Sequence, residues 1–310
     1  MSEQAGAPAF HTVALELAPP ESSAGAGRAV EIADRVVEQC RTHGLTDRIG
    51  HVMIPGIIPE DSDRPVPMSE RMDVLDFWEI VRSRLDGVAG LCAQVTVLLD
   101  ERKLADRLRR LCDAGMAGVA FVGKPHGLPR SACPGLGVAE ALSRCGELMR
   151  RPGVIVIPTR RGEVDRLVEK CERGATFALT QLLYSDRIVD FLRAFAARTD
   201  QRPEIVLSFG FIPAAEEKVG LIDWLLHDPG NEYVRAEQRF VAEVAVRAAD
   251  QRQRALVDLY RRVVDQARGL GFPLSVNLEA PYGVSNSACE AFTQMLDYWS
   301  PQSVAPHKGR

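Results

Sequence analysis

The chain has 310 residues, a formal net charge of −4, 46% hydrophobic residues and 26% charged ones. That is enough for one large domain or two small ones, with apolar material for a real core. Near-balanced charge with no run of Lys and Arg excludes a nucleic-acid footprint, and no apolar run reaches bilayer-spanning length.

The opening MSEQAGAPAF has neither the basic nor the apolar region of a signal peptide. Residues 1–10 read as a disordered extension, 11–300 as the folded domain and 301–310, PQSVAPHKGR, as a flexible tail. Eight short apolar runs then follow in order: TVALEL, IGHVMIP, LCAQVTVLL, GVAFVG, GVIVIP, FALTQLLY, EIVLSFGF and FPLSVNLE. Amphipathic helical patterns separate them, among them RAVEIADRVVEQCRTHG, MDVLDFWEIVRSRL, DERKLADRLRRLCDAG, GVAEALSRCGELMR, EVDRLVEKCERG and SDRIVDFLRAFAAR. Asp73, Asp100 and Ser185 are placed to cap helices. Before the last strand, 228–268 reads as two helices, one a barrel helix and one an insertion. Seven scattered cysteines without a CxxC pair argue for small core residues in a reducing cytoplasm rather than disulfides or zinc.

Strands alternating with helices imply parallel pairing, and eight such units imply a single (β/α)8 TIM-type barrel of the α/β class. A doubly wound open sheet is the rival. In a barrel the chemistry lies where strands end. The polar residues there are Glu16, then Glu60, Asp61 and Asp63, then Gln94 and Thr96, then Lys124 and His126. Thr159 and Arg160, Thr180 and Gln181, Ser208, and Asn277 and Glu279 complete the ring.

Glu16 sits in a strand whose other residues are apolar, so its carboxyl must be paired, neutral or near water. It is either bonded to an inward Thr, Gln or Lys, or it is a proton donor with a raised pKa. Gln181 is either a structural amide or a bidentate partner for a flat heterocycle. The acidic loop at Glu60, Asp61 and Asp63 either binds a cation or is simply solvated. Gly25 and Gly27 lie too far past the strand for a dinucleotide loop, and the six histidines show no metal-ligand spacing.

Taken together, these segments resemble the methylenetetrahydrofolate reductase superfamily. ALELAPP is similar to the family's Phe-Glu-Phe-Phe-Pro-Pro, and LVEKCERGATFALTQLLYS to its Lys-x-x-x-Ala-Gly-Ala-x-x-x-Ile-Thr-Gln-x-x-x-Asp. LSFGFIP is similar to its Gly-Ile-Met-Pro, and GFPLSVNLE to its last strand, which ends in Asn. The resemblance implies reduction of 5,10-methylenetetrahydrofolate to 5-methyltetrahydrofolate. It puts Glu16 on the catalytic acid, Gln181 on the folate-binding glutamine and Lys170 on a lysine of the flavin-phosphate or folate side.

Three flavin-contacting segments depart from the family. Its Arg-Gly-Asp reads Val122, Gly123, Lys124; its His-Leu-Thr reads Gln94, Val95, Thr96; its Tyr-Pro-Glu reads Ile157, Pro158, Thr159. GHVMIPGIIPEDSDRP and MDVLDFW resemble the flavin-free mycobacterial branch, in which NADH delivers hydride directly. The resemblance therefore implies NADH, with NADPH open, and no bound flavin; the cysteines point to the cytoplasm, and the sequence leaves monomer and homodimer both open. Thr180, Glu60 and Asn277 join Gln181 as substrate-binding candidates. Lys124, Gln94, Thr96 and Lys170 are the cofactor-binding candidates, with a salt bridge to the Glu60–Asp63 loop as the other reading of Lys124. The rivals are a flavin-dependent reductase, a folate-binding barrel without catalysis, and an aldolase with Lys124 as Schiff base.

Overall fold

The structure is a computed structural model that describes residues 12–59, 69–125, 128–214, 220–226, 228 and 230–299. Strands β1 (Val13–Glu16), β2 (His51–Ile54), β3 (Ala89–Val95), β4 (Met116–Val122), β5 (Pro152–Val156), β6 (Phe177–Thr180), β7 (Glu204–Gly210) and β8 (Leu274–Glu279) pair in sequence order as a closed barrel. Every pairing is parallel, and β8 returns to β1 with Ala14 opposite Asn277 and Leu15 opposite Leu278. The expected (β/α)8 architecture is therefore the observed one.

Helices α1 (Gly25–Thr42), α2 (Val74–Arg82), α3 (Glu101–Asp113), α4 (Val138–Cys145), α5 (Glu163–Glu172) and α6 (Arg187–Arg198) follow β1 to β6. Asp73 and Asp100 cap α2 and α3, each carboxylate accepting from a first-turn backbone N–H (Leu75 N at 2.8 Å, Lys103 N at 2.9 Å). Ser185 does not cap α6, whose N-cap is Asp186. Its hydroxyl donates to Glu237 Oε1 at 2.5 Å instead, because a buried carboxyl is the more demanding partner.

Between β7 and β8 lie α7 (Gly220–Leu225), α8 (Glu232–Ala245) and α9 (Ala249–Ala267), and α10 (Asn286–Tyr298) follows β8. Leu256, Leu259, Tyr260 and Val263 of α9 join the main core, so α9 is the barrel helix. Val234, Val241 and Val244 of α8 join a satellite cluster with Leu182, Tyr184 and Ile212, roofing the end of β6 and β7. Among the described residues no helix is long and apolar enough to cross a membrane.

The barrel interior is layered. Its waist holds Ala14, Met53, Leu91, Ala93, Ala120, Phe177, Leu179 and Val206. Phe177 claims space that a side chain at residue 153 would need, since a Cβ on Gly153 would stand 2.2 Å from its ring.

At the N-terminal floor the side chains turn polar. Ser275 Oγ donates to Glu204 Oε1 at 2.6 Å and accepts from Thr12 N at 2.9 Å. Glu204 also pairs with Arg151, and Thr12 Oγ1 lies 2.8 Å from His51 Nδ1. Burial, reinforced by the Arg151 charge, pushes the His51 imidazole down to about 4. Because that folded pKa lies below the unfolded one, the stability His51 contributes is present above about 6.5 and is lost as pH falls toward 4. His51→Gln is expected to remove on the order of 2 kcal/mol of acid-induced destabilisation between pH 7 and 4.5. Equal losses for the two proteins in urea melts at those pH values would refute a neutral buried imidazole.

Candidate active site

At the opposite, C-terminal end of the barrel the inward positions again turn polar. Period-2 alternation along β1 puts Glu16 on the face of Ala14, which belongs to the interior cluster. Asn277 lies opposite Ala14 across the β1–β8 seam, and Glu279 follows on the same face of β8. Closure of the barrel therefore brings carboxyls from the two ends of the chain together.

Asn277 is fully buried and its Nδ2 group binds them both. It lies 3.0 Å from Glu16 Oε2, 2.9 Å from Glu279 Oε1 and 3.2 Å from Ser208 Oγ on β7. The shared Asn277 nitrogen thus sets the two carboxyls side by side. Desolvation pushes Glu16 up to about 7, against the opposing hydrogen bonds from Asn277 and Glu279. Glu279 is driven well above the usual carboxyl range by burial and then by the Glu16 charge. Near neutrality this site therefore holds a protonated carboxyl at the barrel mouth.

Gln181 leaves β6 on the interior parity of Phe177 and Leu179. Its Nε2 donates to Leu225 O of α7 at 2.7 Å, which fixes the amide plane, and among the described residues its Oε1 is not engaged. Thr180 has the opposite parity, and its Oγ1 accepts from Ser208 N at 2.9 Å, tying β6 to β7 beside Asn277.

The other candidates lie apart from this cluster. Thr96 is fully buried, and its hydroxyl donates to Leu136 O at 2.8 Å. Lys170 Nζ reaches Ile155 O at 3.0 Å and Glu163 Oε1 at 3.4 Å, clamping α5 to β5, and burial lowers its pKa. Lys124 is exposed and donates to Leu128 O. Gln94 donates to Val95 O at 2.9 Å and receives Arg107 Nε at 3.4 Å. Arg107 also pairs with Asp73 at 2.8 Å. Glu60, Asp61, Asp63 and His126 lie outside the described residues.

Two concavities open beside the mouth. A cleft of about 550 Å³ beyond β2 and β3 is lined by Ile57, Ile58 and Leu98 together with Gln94, Arg71, Lys103 and Arg110. A cavity of about 350 Å³ beyond β7 and β8 is lined by Phe211, Ala280, Tyr282, Arg252 and Ser285. Among the described residues no group of His, Cys, Asp and Glu could hold a metal ion.

The family model for mycobacterial methylenetetrahydrofolate reductase matches residues 9–303. The chain belongs to that family. As a member, it is assigned to the folate oxidoreductases. Among solved structures it is similar to an uncharacterized protein from Clostridium thermocellum that binds two copies of 5-methyl-5,6,7,8-tetrahydrofolic acid. There the identity is 14%, the TM-score 0.67, and the match covers 93% of this chain and 95% of that one. A looser likeness, TM-score 0.49 at 10% identity over 92% and 98% of the two chains, is to the tryptophan synthase complex of Pyrococcus furiosus. At 14% identity the Clostridium thermocellum likeness bears on the fold alone. No curated protein sequence matches this chain.

Sequence reasoning placed Glu279 in the mouth ring without a role. The available signal was parity: Glu279 is two residues beyond Asn277, and closure of a barrel sets the last strand beside the first.

Proposed function

We propose that this chain reduces 5,10-methylenetetrahydrofolate to 5-methyltetrahydrofolate with hydride taken directly from NADH, Glu16 protonating N10 of the folate. The observation that carries the reading is the buried Glu16 carboxyl at the barrel mouth of a family member, held beside Asn277 and raised by desolvation to about 7. The 5-methyltetrahydrofolate ligand of the Clostridium thermocellum protein is in keeping with it.

The five-membered ring of the substrate must open before hydride arrives. Glu16 gives its proton to N10, the N10–methylene bond breaks, and an N5 iminium cation forms beside the new carboxylate, which stabilises it. Asn277 Nδ2 holds Glu16 in line during that transfer. Gln181 Oε1, its amide plane set by Leu225, accepts from the pterin edge.

Nicotinamide supplies the hydride when bound. The cleft beyond β2 and β3 fits a dinucleotide: Arg71, Lys103 and Arg110 suit phosphates, and Ile57, Ile58 and Leu98 suit a flat ring. NADPH is the alternative donor for the same groups. A flavin is not required, and Lys124 stands where the flavin-dependent relatives resembled here carry an Asp.

NADH oxidation with methylenetetrahydrofolate, run with and without added FAD on protein of recorded absorbance, tests the proposal. Turnover by colourless protein that FAD leaves unchanged is the expected result. A stoichiometric yellow chromophore, or strict dependence on FAD, would establish the flavin enzyme instead.

A further inference from the structure

The pairing of Glu16 with a second carboxyl is not needed for a simple proton donor, and a lone buried acid would be cheaper to fold. We propose that Glu279 is a positioning residue whose carboxyl stays protonated through the cycle and donates its O–H to the Glu16 carboxylate as that carboxylate forms. The chemistry assigned to the pair rests on the folate-reductase reading; its geometry does not.

Glu279 is only 8% exposed, and one Asn277 amide nitrogen binds both carboxyls. Among the described residues the groups facing the pair offer no compensating positive charge. From β8 comes the Asn277 amide, and from β7 the Ser208 hydroxyl, which accepts from Asn277 Nδ2 at 3.2 Å. From the chain after β6 comes Tyr184, 2% exposed, whose Oη lies over Gly210, the register partner of Glu279. Tyr282 lies beyond β8 and Glu237 on α8, and both add only acidic character around Tyr184. Among the described residues neither carboxyl has a salt bridge to Lys or Arg. Two adjacent anions in that setting would repel without relief, so one proton stays with the pair.

The step balances. The Glu16 O–H bond breaks and the proton forms the N10–H bond, leaving one negative charge on Glu16. Glu279 keeps its own proton and shares it across the hydrogen bond, lowering the energy of the anion as it appears. After product leaves, the pair takes one proton from water and the starting state returns.

The test follows the Glu16 titration by carboxyl NMR of 13C-Glu-labelled protein, alongside the pH dependence of kcat. Glu279→Leu removes the donor and should move the Glu16 midpoint upward by about one pH unit, with kcat at pH 7 falling about 10-fold. Glu279→Gln keeps an N–H donor in the same place and should leave both within about threefold of wild type. A downward move of the Glu16 midpoint in Glu279→Leu would mean Glu279 is an anion there, and would overturn the proposal. Equal loss of kcat in the two variants would also overturn it. Should the leucine variant fail to fold, the upward or unchanged midpoint in Glu279→Gln and its kcat still decide, since an anionic Glu279 would give a fall on neutralisation. Wild-type protein that turns over no folate would refute the reaction, while the titration of the free protein would still judge the pair.

Discussion

Glu16→Gln is expected to fold and to bind folate and NADH as the wild type does, and to lose turnover by a factor of about 10² to 10⁴. The amide reproduces the shape of the carboxyl and still meets Asn277, but it has no proton to give. Because wild-type Glu16 must be protonated to act, kcat should fall as pH rises through about 7. The same group makes a prediction for stability with an opposite sign between wild type and variant. Its folded pKa is raised, so the stability it contributes is full below the unfolded value of 4.5 and is lost as pH rises through about 7. Glu16→Gln should therefore match wild type in thermal melts near pH 4.5 and exceed it near pH 8.5, by on the order of 1–2 kcal/mol. Lost turnover together with gained alkaline stability distinguishes a strained acid from a structural carboxyl, whose removal would cost stability. Near-wild-type kcat in the variant would end the assignment of Glu16 as the acid.

How much of this could be read in advance depended on whether a feature was local. Parallel strands buried on both faces write themselves as short apolar runs, and all eight appear in order. Their ends were blurred because apolar residues continue past the ladder. Leu98 and Leu99 leave β3 to line the cleft, Leu182 and Tyr184 leave β6 to pack under α7 and α8, and Leu183 between them joins the main core. Helix α10 had no strong pattern because much of its buried face is made of Ala288, Cys289 and Ala291, which are small. Glu16 announced itself as a carboxyl among apolar neighbours. Its partners belong to the last strand, and only barrel closure sets them alongside.

Parity carried more than was taken from it. Cys92, Phe121 and Ala178 face the helices, so Gln94, Thr96 and Thr180, an even number of residues from Cys92 or Ala178, share that outward parity. Leu179 and Ala14 face the interior, and Gln181 and Glu16 follow them. A polar residue at a strand end is therefore a site candidate only when its parity matches the small residues that line the barrel. Lys170 shows the limit of position on a helix: its ammonium is held by Ile155 O and Glu163, which no spacing rule reveals.

The floor of the barrel gives the second large effect, and there it falls on stability rather than rate. Glu204→Leu is expected to destabilise the fold by about 3–5 kcal/mol and to leave kcat unchanged at temperatures where the variant is folded. The Arg151 and Glu204 side chains are 11% and 8% exposed, and removing the carboxylate leaves the guanidinium, packed 5.3 Å from the Phe177 ring centroid, without its anionic partner. Ser275 Oγ loses its acceptor in the same stroke. Because the cost is that of a stranded charge, not of lost attraction, removing Arg151 as well should return most of it. Arg151→Met with Glu204→Leu is expected to be more stable than Glu204→Leu alone, measured in a urea double-mutant cycle. A double variant no more stable than the single one would show that the floor is held by shape and hydroxyl bonds instead of by the ion pair. A fall in kcat for folded Glu204→Leu would show that the floor reaches the mouth, through the β7 strand that carries both Glu204 and Ser208. Buried carboxyls thus stand at both ends of one barrel, and what separates their roles is the partner: a cation closes Glu204 to chemistry, whereas among the described residues Glu16 faces an amide and a second acid and keeps a proton to give.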